Sequence, residues 1–178
     1  MKLLPTLYSI DGPWKGRLAI VPRPRGGEWL EDEVLAWRDG DLDAIVSLLT
    51  ADETAELGLD DETRLARTNG ILFIRFPILD YSVPSSLEES LAFLKELDQA
   101  LSTGKNVGIH CRQGIGRSAT IASSLLVVRG IDPEEALRRV ASARGCQVPD
   151  TIEQQEWISS FAHYLSALKS EREAVTRT

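Results

Sequence analysis

The sequence predicts an α/β domain with a mainly parallel central sheet of about four to five strands flanked by helices. Three observations carry this expectation. Short apolar runs of strand character alternate with longer stretches of helical period, and the connections between them are short, an order that implies parallel strands covered by helices. The 178 residues suit one domain with a real core, expected to span 1–178 with its core at about 16–168 and short tails at both ends. Apolar residues at 43% and charged residues at 26% are ordinary globular usage, and 13 Gly with 8 Pro are too few for a fibrous or low-complexity chain.

The first strand is Leu18 to Val21, stopped by Pro22. After PRPRGG, a helical run from Leu30 to Arg38 ends at Gly40. Ala44 to Leu49 (AIVSLL) has the continuous apolar character of a strand buried on both faces. The segment ADETAELGLDDETRLARTNG reads as one or two short surface helices ending at Asn69-Gly70, its carboxylates forming a solvated face. Ile71 to Ile78 (ILFIRFPI) is the next strand. The loop LDYSVPS leads through Pro84, Ser85 and Ser86 into a long amphipathic helix with Leu87, Leu91, Leu94, Leu97 and Leu101 on one stripe. Asn106 to His110 (NVGIH) is a short strand, and beyond CRQGIGRS the run Ala119 to Val128 is apolar all round, as a buried helix is. Asp132-Pro133-Glu134-Glu135 starts another helix, whose Arg138 and Arg139 suit the negative end of its dipole. The last helix carries Trp157, Phe161, Tyr164, Leu165 and Leu168 on one stripe, with His163 on its surface.

Charge narrows the function. Twenty basic and 27 acidic residues give a net charge of -7, which disfavours a nucleic-acid partner. Residues 31–70 hold three basic and twelve acidic residues, whereas residues 71–178 hold twelve and thirteen, so the acidity is expected on a far wall of the domain. No window reaches the roughly 18 apolar residues that span a bilayer. Pro5 and Asp11 interrupt the start before a signal-peptide core forms, so the expected location is cytoplasmic, without a membrane partner. Cys111 and Cys146 lie 35 residues apart without CxxC pairing, and the chain has two histidines; neither a disulfide scaffold, a metal site nor a cofactor is expected. Cys146 is expected to stay a thiol rather than pair with Cys111. Arg23 and Arg25 are expected to be solvated rather than to contact an acidic substrate.

The chemistry is expected in Cys111 to Ser118, between a strand and the first turn of a buried helix, where parallel sheets bind ligands. Gly114 and Gly116 let the backbone turn tightly, so that the N–H groups of Arg112, Gln113, Gly114, Ile115, Gly116 and Arg117 converge on one anion. The helix N-terminus adds a positive end, and the Arg117 guanidinium binds two phosphate oxygens at once. A cysteine at the mouth of that cradle is stabilised as thiolate by the same groups, which makes Cys111 the candidate nucleophile.

The run His110-Cys111-Arg112-Gln113-Gly114-Ile115-Gly116-Arg117-Ser118 resembles the HCxxGxGRS (CX5R) signature of the Cys-dependent protein tyrosine phosphatases, and within them the compact dual-specificity-like members. The same resemblance implies an acid loop upstream, matched by FPILDYSVPS with Asp80 in its D-x-x-V-P position. It also implies a late glutamine with an aromatic residue three positions on, matched by Gln154 and Trp157. The match spans roughly residues 71–161 and implies a dual-specificity-phosphatase-like sheet. Asp80 also suits a turn aspartate, and Gln154 with Thr151 also forms a capping box.

The resemblance implies a hydrolase working through a phosphocysteine intermediate. Cys111 attacks phosphorus, Arg117 and the loop amides hold the oxygens, and Asp80 protonates the leaving oxygen and later serves as base. Gln154 positions the water, Ser118 helps the sulfur leave, and His110 supports the loop from beneath. Expected ligands are a phosphorylated protein or peptide, phosphate, and oxyanion inhibitors such as vanadate. Phosphotyrosine is the first expectation, with phosphoserine and phosphothreonine open. The neutral Gln113 and Ile115 disfavour a phosphoinositide, which stays an alternative beside a catalytically weak phosphate-binding module. Sulfurtransferase loops differ in Cys-to-Arg spacing, and low-molecular-weight phosphatases place the acid downstream; here it precedes the cysteine by 31 positions.

Overall fold

A computed structural model describes residues 4–176. The tails expected at the two ends reach into residues 1–3 and 177–178, which lie outside the described residues. Among the described residues, five strands form one sheet: β1 (Tyr8–Ile10), β2 (Leu18–Ile20), β3 (Ala44–Ser47), β4 (Leu72–Arg75) and β5 (Val107–His110), in the spatial order β1-β2-β5-β3-β4. Only the β1/β2 pair is antiparallel; β2/β5, β5/β3 and β3/β4 are parallel, as the alternating sequence predicts. The strand β1 is an addition: YSI falls in the stretch read as an N-terminal tail, yet Ile10 is buried and Tyr8 pairs with Ile20.

The helices are α1 (Leu30–Asp39), α2 (Ala51–Glu56), α3 (Glu62–Thr68), α4 (Leu87–Ser102), α5 (Arg117–Val128), α6 (Pro133–Arg144) and α7 (Ile152–Thr176). Alternate residues of β3 serve opposite faces of the sheet. Ala44 and Val46 join the larger core with leucines of α4 and α5 and the aromatics of α7, while Ile45 packs into a smaller core with Trp37, Leu65 and Phe73. In α4, Leu91, Leu94, Leu97 and Leu101 are buried at helical spacing, each contributing roughly 1.5–3 kcal/mol of apolar burial. Ser86 caps that helix by accepting the Glu89 N–H, and Asp132 caps α6 with Pro133 in its first turn. The helix α5 is buried along nearly all its length, as its uniform apolarity predicts. The helix α7 runs past Leu168 to Thr176, so the expected C-terminal tail is largely helical, its last turns exposed. Among the described residues no helix is long and apolar enough to cross a membrane.

The acidic segment departs from its expected role. It does form two short helices, and Asp52, Glu56, Asp60 and Asp61 are exposed. Glu53 and Glu62, however, are buried, so the segment is not simply a solvated far wall. The physical reason is that both face buried cationic or imidazole partners on the central strand-to-helix turn.

Candidate active site

The site grows from the C-terminal end of β5, the central strand. Its last residue, His110, is fully buried, stacks on Trp37, and lies with Nε2 2.9 Å from Glu62 Oε1, without the alignment of a hydrogen bond. The chain then turns through residues 111–116 into α5. Gly114, with φ 67°, takes the left-handed backbone that the turn requires, and its N–H donates to Cys111 Sγ at 3.2 Å. The sulfur thus receives a backbone N–H at the N-terminal end of α5, the environment that stabilises negative charge there. Cys111 is buried and free, and Cys146 is free on the surface.

Arg117, the first residue of α5, is buried with its guanidinium held from three sides. Nη1 and Nη2 donate to the two Glu53 carboxylate oxygens at 2.7 and 2.8 Å, a bidentate pair, and Nη1 also donates to the Ile78 carbonyl at 2.8 Å. Asp80 Oδ1 lies 2.9 Å from Nη2, which brings the loop that carries Asp80 onto the turn between β5 and α5. Asp80 is directed by a tight local turn in which its Oδ1 accepts the N–H of Tyr81, a residue with φ of 56°. Burial opposes charge on Arg117, but Glu53, the Cys111 sulfur and Asp80 together hold its pKa above the ordinary value.

Glu53 is the residue that sequence reasoning missed most plainly. It is the third residue of α2 in a reciprocal capping box with Thr50, and the same carboxylate clamps Arg117 and reaches Arg112 at 3.4 Å. Burial alone would raise its carboxyl; hydrogen bonds from Arg117 and the Thr50 N–H, with the charge of Arg117 and a contact from Arg112, bring it down to about 2. T-x-x-E before a short helix was a legible capping signal, but nothing in it distinguishes a solvated cap from one facing an arginine 64 residues away. Arg144, another omission, donates to the outward carbonyls of Gly114 and Gln113 at 2.8 and 3.2 Å and stacks over Tyr8, fixing the loop from outside. Arg23 contributes similarly through the Arg112 carbonyl, and both line a cavity of about 250 Å³ beside the loop with Arg112 and Gln113. Arg25 pairs with Glu33 and lies over Trp29, away from the loop.

The remaining expected residues divide. Ser118 is fully buried, and its Oγ has no hydrogen-bond partner among the described residues. The Gln154 carboxamide is buried and committed: Oε1 accepts the N–H groups of Asp150 and Thr151, and Nε2 donates to the Ser82 carbonyl of the acid loop. The capping arrangement read from TIEQ is therefore present, with the Gln154 N–H donating to Thr151 Oγ1. The side chain ties two loops together. Beside it stands Asp150, absent from the sequence reading, whose carboxylate abuts Gly116: a Cβ on that glycine would lie 2.3 Å from Asp150 Oδ2.

Comparisons with known proteins bear on the family of this chain and on its fold. A family model described as "Polymorphic toxin system, DSP-PTPase phosphatase" matches residues 21–131. Cyclin-dependent kinase inhibitor 3 of Homo sapiens is 31% identical over 111 residues, 61% of this chain and 52% of that protein. Putative tyrosine phosphatase 197R of Invertebrate iridescent virus 6 is 35% identical over 97 residues, 52% of this chain and 34% of that protein. The chain thus spans about half the length of the first of these relatives and about a third of the second. Among solved structures, kinase associated phosphatase (KAP) superposes with a TM-score of 0.84 at 20% identity, covering 94% of this chain and 99% of that one. Tk-PTP in its active form gives 0.72 at 30% identity, covering 90% and 99%. The family match takes in both Asp80 and the whole loop from Cys111 to Ser118, and on it this chain belongs to the DSP-PTPase phosphatase family.

Proposed function

We propose that this chain hydrolyses phosphomonoesters, with protein phosphotyrosine as first substrate and phosphoserine or phosphothreonine beside it, through a phosphocysteine on Cys111. The observation that carries the reading is the buried guanidinium of Arg117, locked by Glu53 beside a sulfur that already accepts a loop N–H. Such a pair is preorganised for an oxyanion before any substrate arrives. Arg117 holds two equatorial oxygens while the loop amides take the rest, and substrate phosphate displaces Asp80 from Nη2. Asp80 then protonates the leaving oxygen, and Cys111 carries the phosphoryl group. The Ser118 hydroxyl, buried without another partner among the described residues, is left to serve the sulfur when the P–S bond breaks. Because thiolate and carboxylic acid are needed together, the rate should fall on both sides of an optimum pH.

The described residues share one sheet with helices on both faces, which supports reading the chain as a single phosphatase domain. Cys111→Ser should reduce hydrolysis of an aryl phosphate to background; activity above a trace would remove the nucleophile assignment. Vanadate should inhibit competitively. Asp80→Asn should lower turnover of a poor leaving group by roughly 100-fold or more and flatten the acid-dependent arm of its pH profile. A lipid substrate is the second reading, since PTPMT1, with a TM-score of 0.70 at 20% identity, has been solved in complex with PI(5)P. The cavity lined by Arg23, Arg112 and Arg144 favours testing it here. Relative kcat/KM on phosphotyrosine peptide, phosphothreonine peptide and soluble phosphoinositide decides among them.

A further inference from the structure

We propose that Asp150, rather than Gln154, holds the water that hydrolyses the phosphocysteine. The inference rests on the phosphatase reading above and concerns its second step. Three observations lead to it. First, the Gln154 carboxamide oxygen is filled by the N–H groups of Asp150 and Thr151 at 3.1 and 3.2 Å, and its amide nitrogen donates to the Ser82 carbonyl at 3.0 Å. It has no acceptor left for a water. Second, the Asp150 carboxylate covers the loop at Gly116: a Cβ on that glycine would lie 2.3 Å from Asp150 Oδ2, and the carboxylate interacts with the Gly116 N–H. Third, the Asp150 carboxyl feels the charges of Asp80 and Arg117, and Asp150 is exposed to solvent. Desolvation of its carboxyl group and then the like charge of Asp80 raise the Asp150 pKa above its ordinary value, while the Gly116 N–H and Arg117 oppose the rise.

The step balances as follows. Asp80 has lost its proton to the departing alcohol and is a carboxylate. A water donates one hydrogen to Asp150, which fixes the oxygen's direction, and the other toward Asp80. The oxygen bonds to phosphorus as the P–S bond breaks, the bonding pair returns to Cys111 Sγ, and the proton moves to Asp80, restoring the acid for the next cycle. Asp150 takes no net proton.

The test is Asp150→Asn in rapid-quench kinetics with p-nitrophenyl phosphate, following nitrophenolate release and acid-trapped phosphocysteine together. Expected is a phosphorylation rate within about twofold of wild type, a steady-state turnover lower by roughly tenfold or more, and accumulation of phosphoenzyme. Asp150→Glu should recover part of the turnover, and thermal melts should show both variants folded. Loss of phosphorylation and turnover in equal proportion, or an unchanged ratio of the two, would overturn the proposal by making Asp150 structural or idle. So would a Gln154→Ala variant that accumulates phosphoenzyme while Asp150→Asn does not. If wild type and Asp150→Asn both turn over substrate without any trappable phosphocysteine, the phosphocysteine reading itself fails, a result distinct from the others.

Discussion

Gly114 and Gly116 sit two residues apart in the same loop and are required for different reasons. Gly114 has φ 67°, a conformation costly for any residue with a Cβ. Gly116 has an unremarkable φ of -78°, and what it lacks room for is a side chain: a Cβ would meet Asp150 Oδ2 at 2.3 Å and both Gln154 carboxamide atoms at 2.9 Å. Gly116→Ala should therefore push the Asp150 loop off the phosphate loop. Its steady-state turnover should fall by about 100-fold, since displacements on the scale of an ångström at a reacting centre cost that much. A melting temperature near that of wild type would show that the loss is local, and unaltered turnover would show that the loop tolerates the displacement. The contrast marks a limit of sequence reading. The pattern GxG announced a tight turn around an anion, which Gly114 supplies, but the close approach at Gly116 depends on a residue 34 positions later that no local pattern connects to it.

Among the elements, those whose signals are local were legible. Asp132-Pro133 starts α6, Ser86 starts α4, and the leucine stripe of α4 faces the core. Asp132→Ala should cost about 1 kcal/mol of stability in urea denaturation and leave turnover unchanged, because the cap serves α6 alone. The strand β1 was not legible: three residues with one buried side chain carry no period of their own and become a strand by pairing with β2. The orientation of α2 and α3 was hidden for a related reason. Their buried faces include Glu53 and Glu62, so a hydropathy pattern turns these faces toward solvent, whereas their partners on the central turn draw them inward. Gln154 shows the same dependence between elements, joining the start of α7 to the acid loop through Ser82. Gln154→Ala should loosen that loop, so that turnover of an alkyl phosphate falls more than that of p-nitrophenyl phosphate, whose leaving group needs little protonation. Equal losses on both substrates would indicate that Asp80 is positioned without this tie.

At the scale of the whole molecule, the acidic excess acquires a structural location. Residues 31–70 account for it in the sequence, and one of their carboxylates, Glu53, connects α2 to the first residue of α5 through the bidentate contact with Arg117. Removing Glu53 leaves the Arg117 guanidinium with fewer acceptors in a buried setting, so Glu53→Ala should destabilise the fold by about 3 kcal/mol. The pH dependence follows from the direction of its shift. A carboxyl held at about 2 in the folded chain and near 4.5 when unfolded contributes stability that is fully present above pH 4.5. Below that value the unfolded chain takes up a proton that the folded chain still refuses, and the contribution shrinks as pH falls through about 2. Glu53→Gln keeps most of the shape and hydrogen-bonding capacity but removes the titration. The stability gap between wild type and Glu53→Gln, measured by urea denaturation, should be constant from pH 7 to pH 5 and then narrow steadily toward pH 3. A gap that stays constant to pH 3 would mean that Arg117 does not hold this carboxylate, and with it would go the preorganised guanidinium on which the phosphatase reading rests.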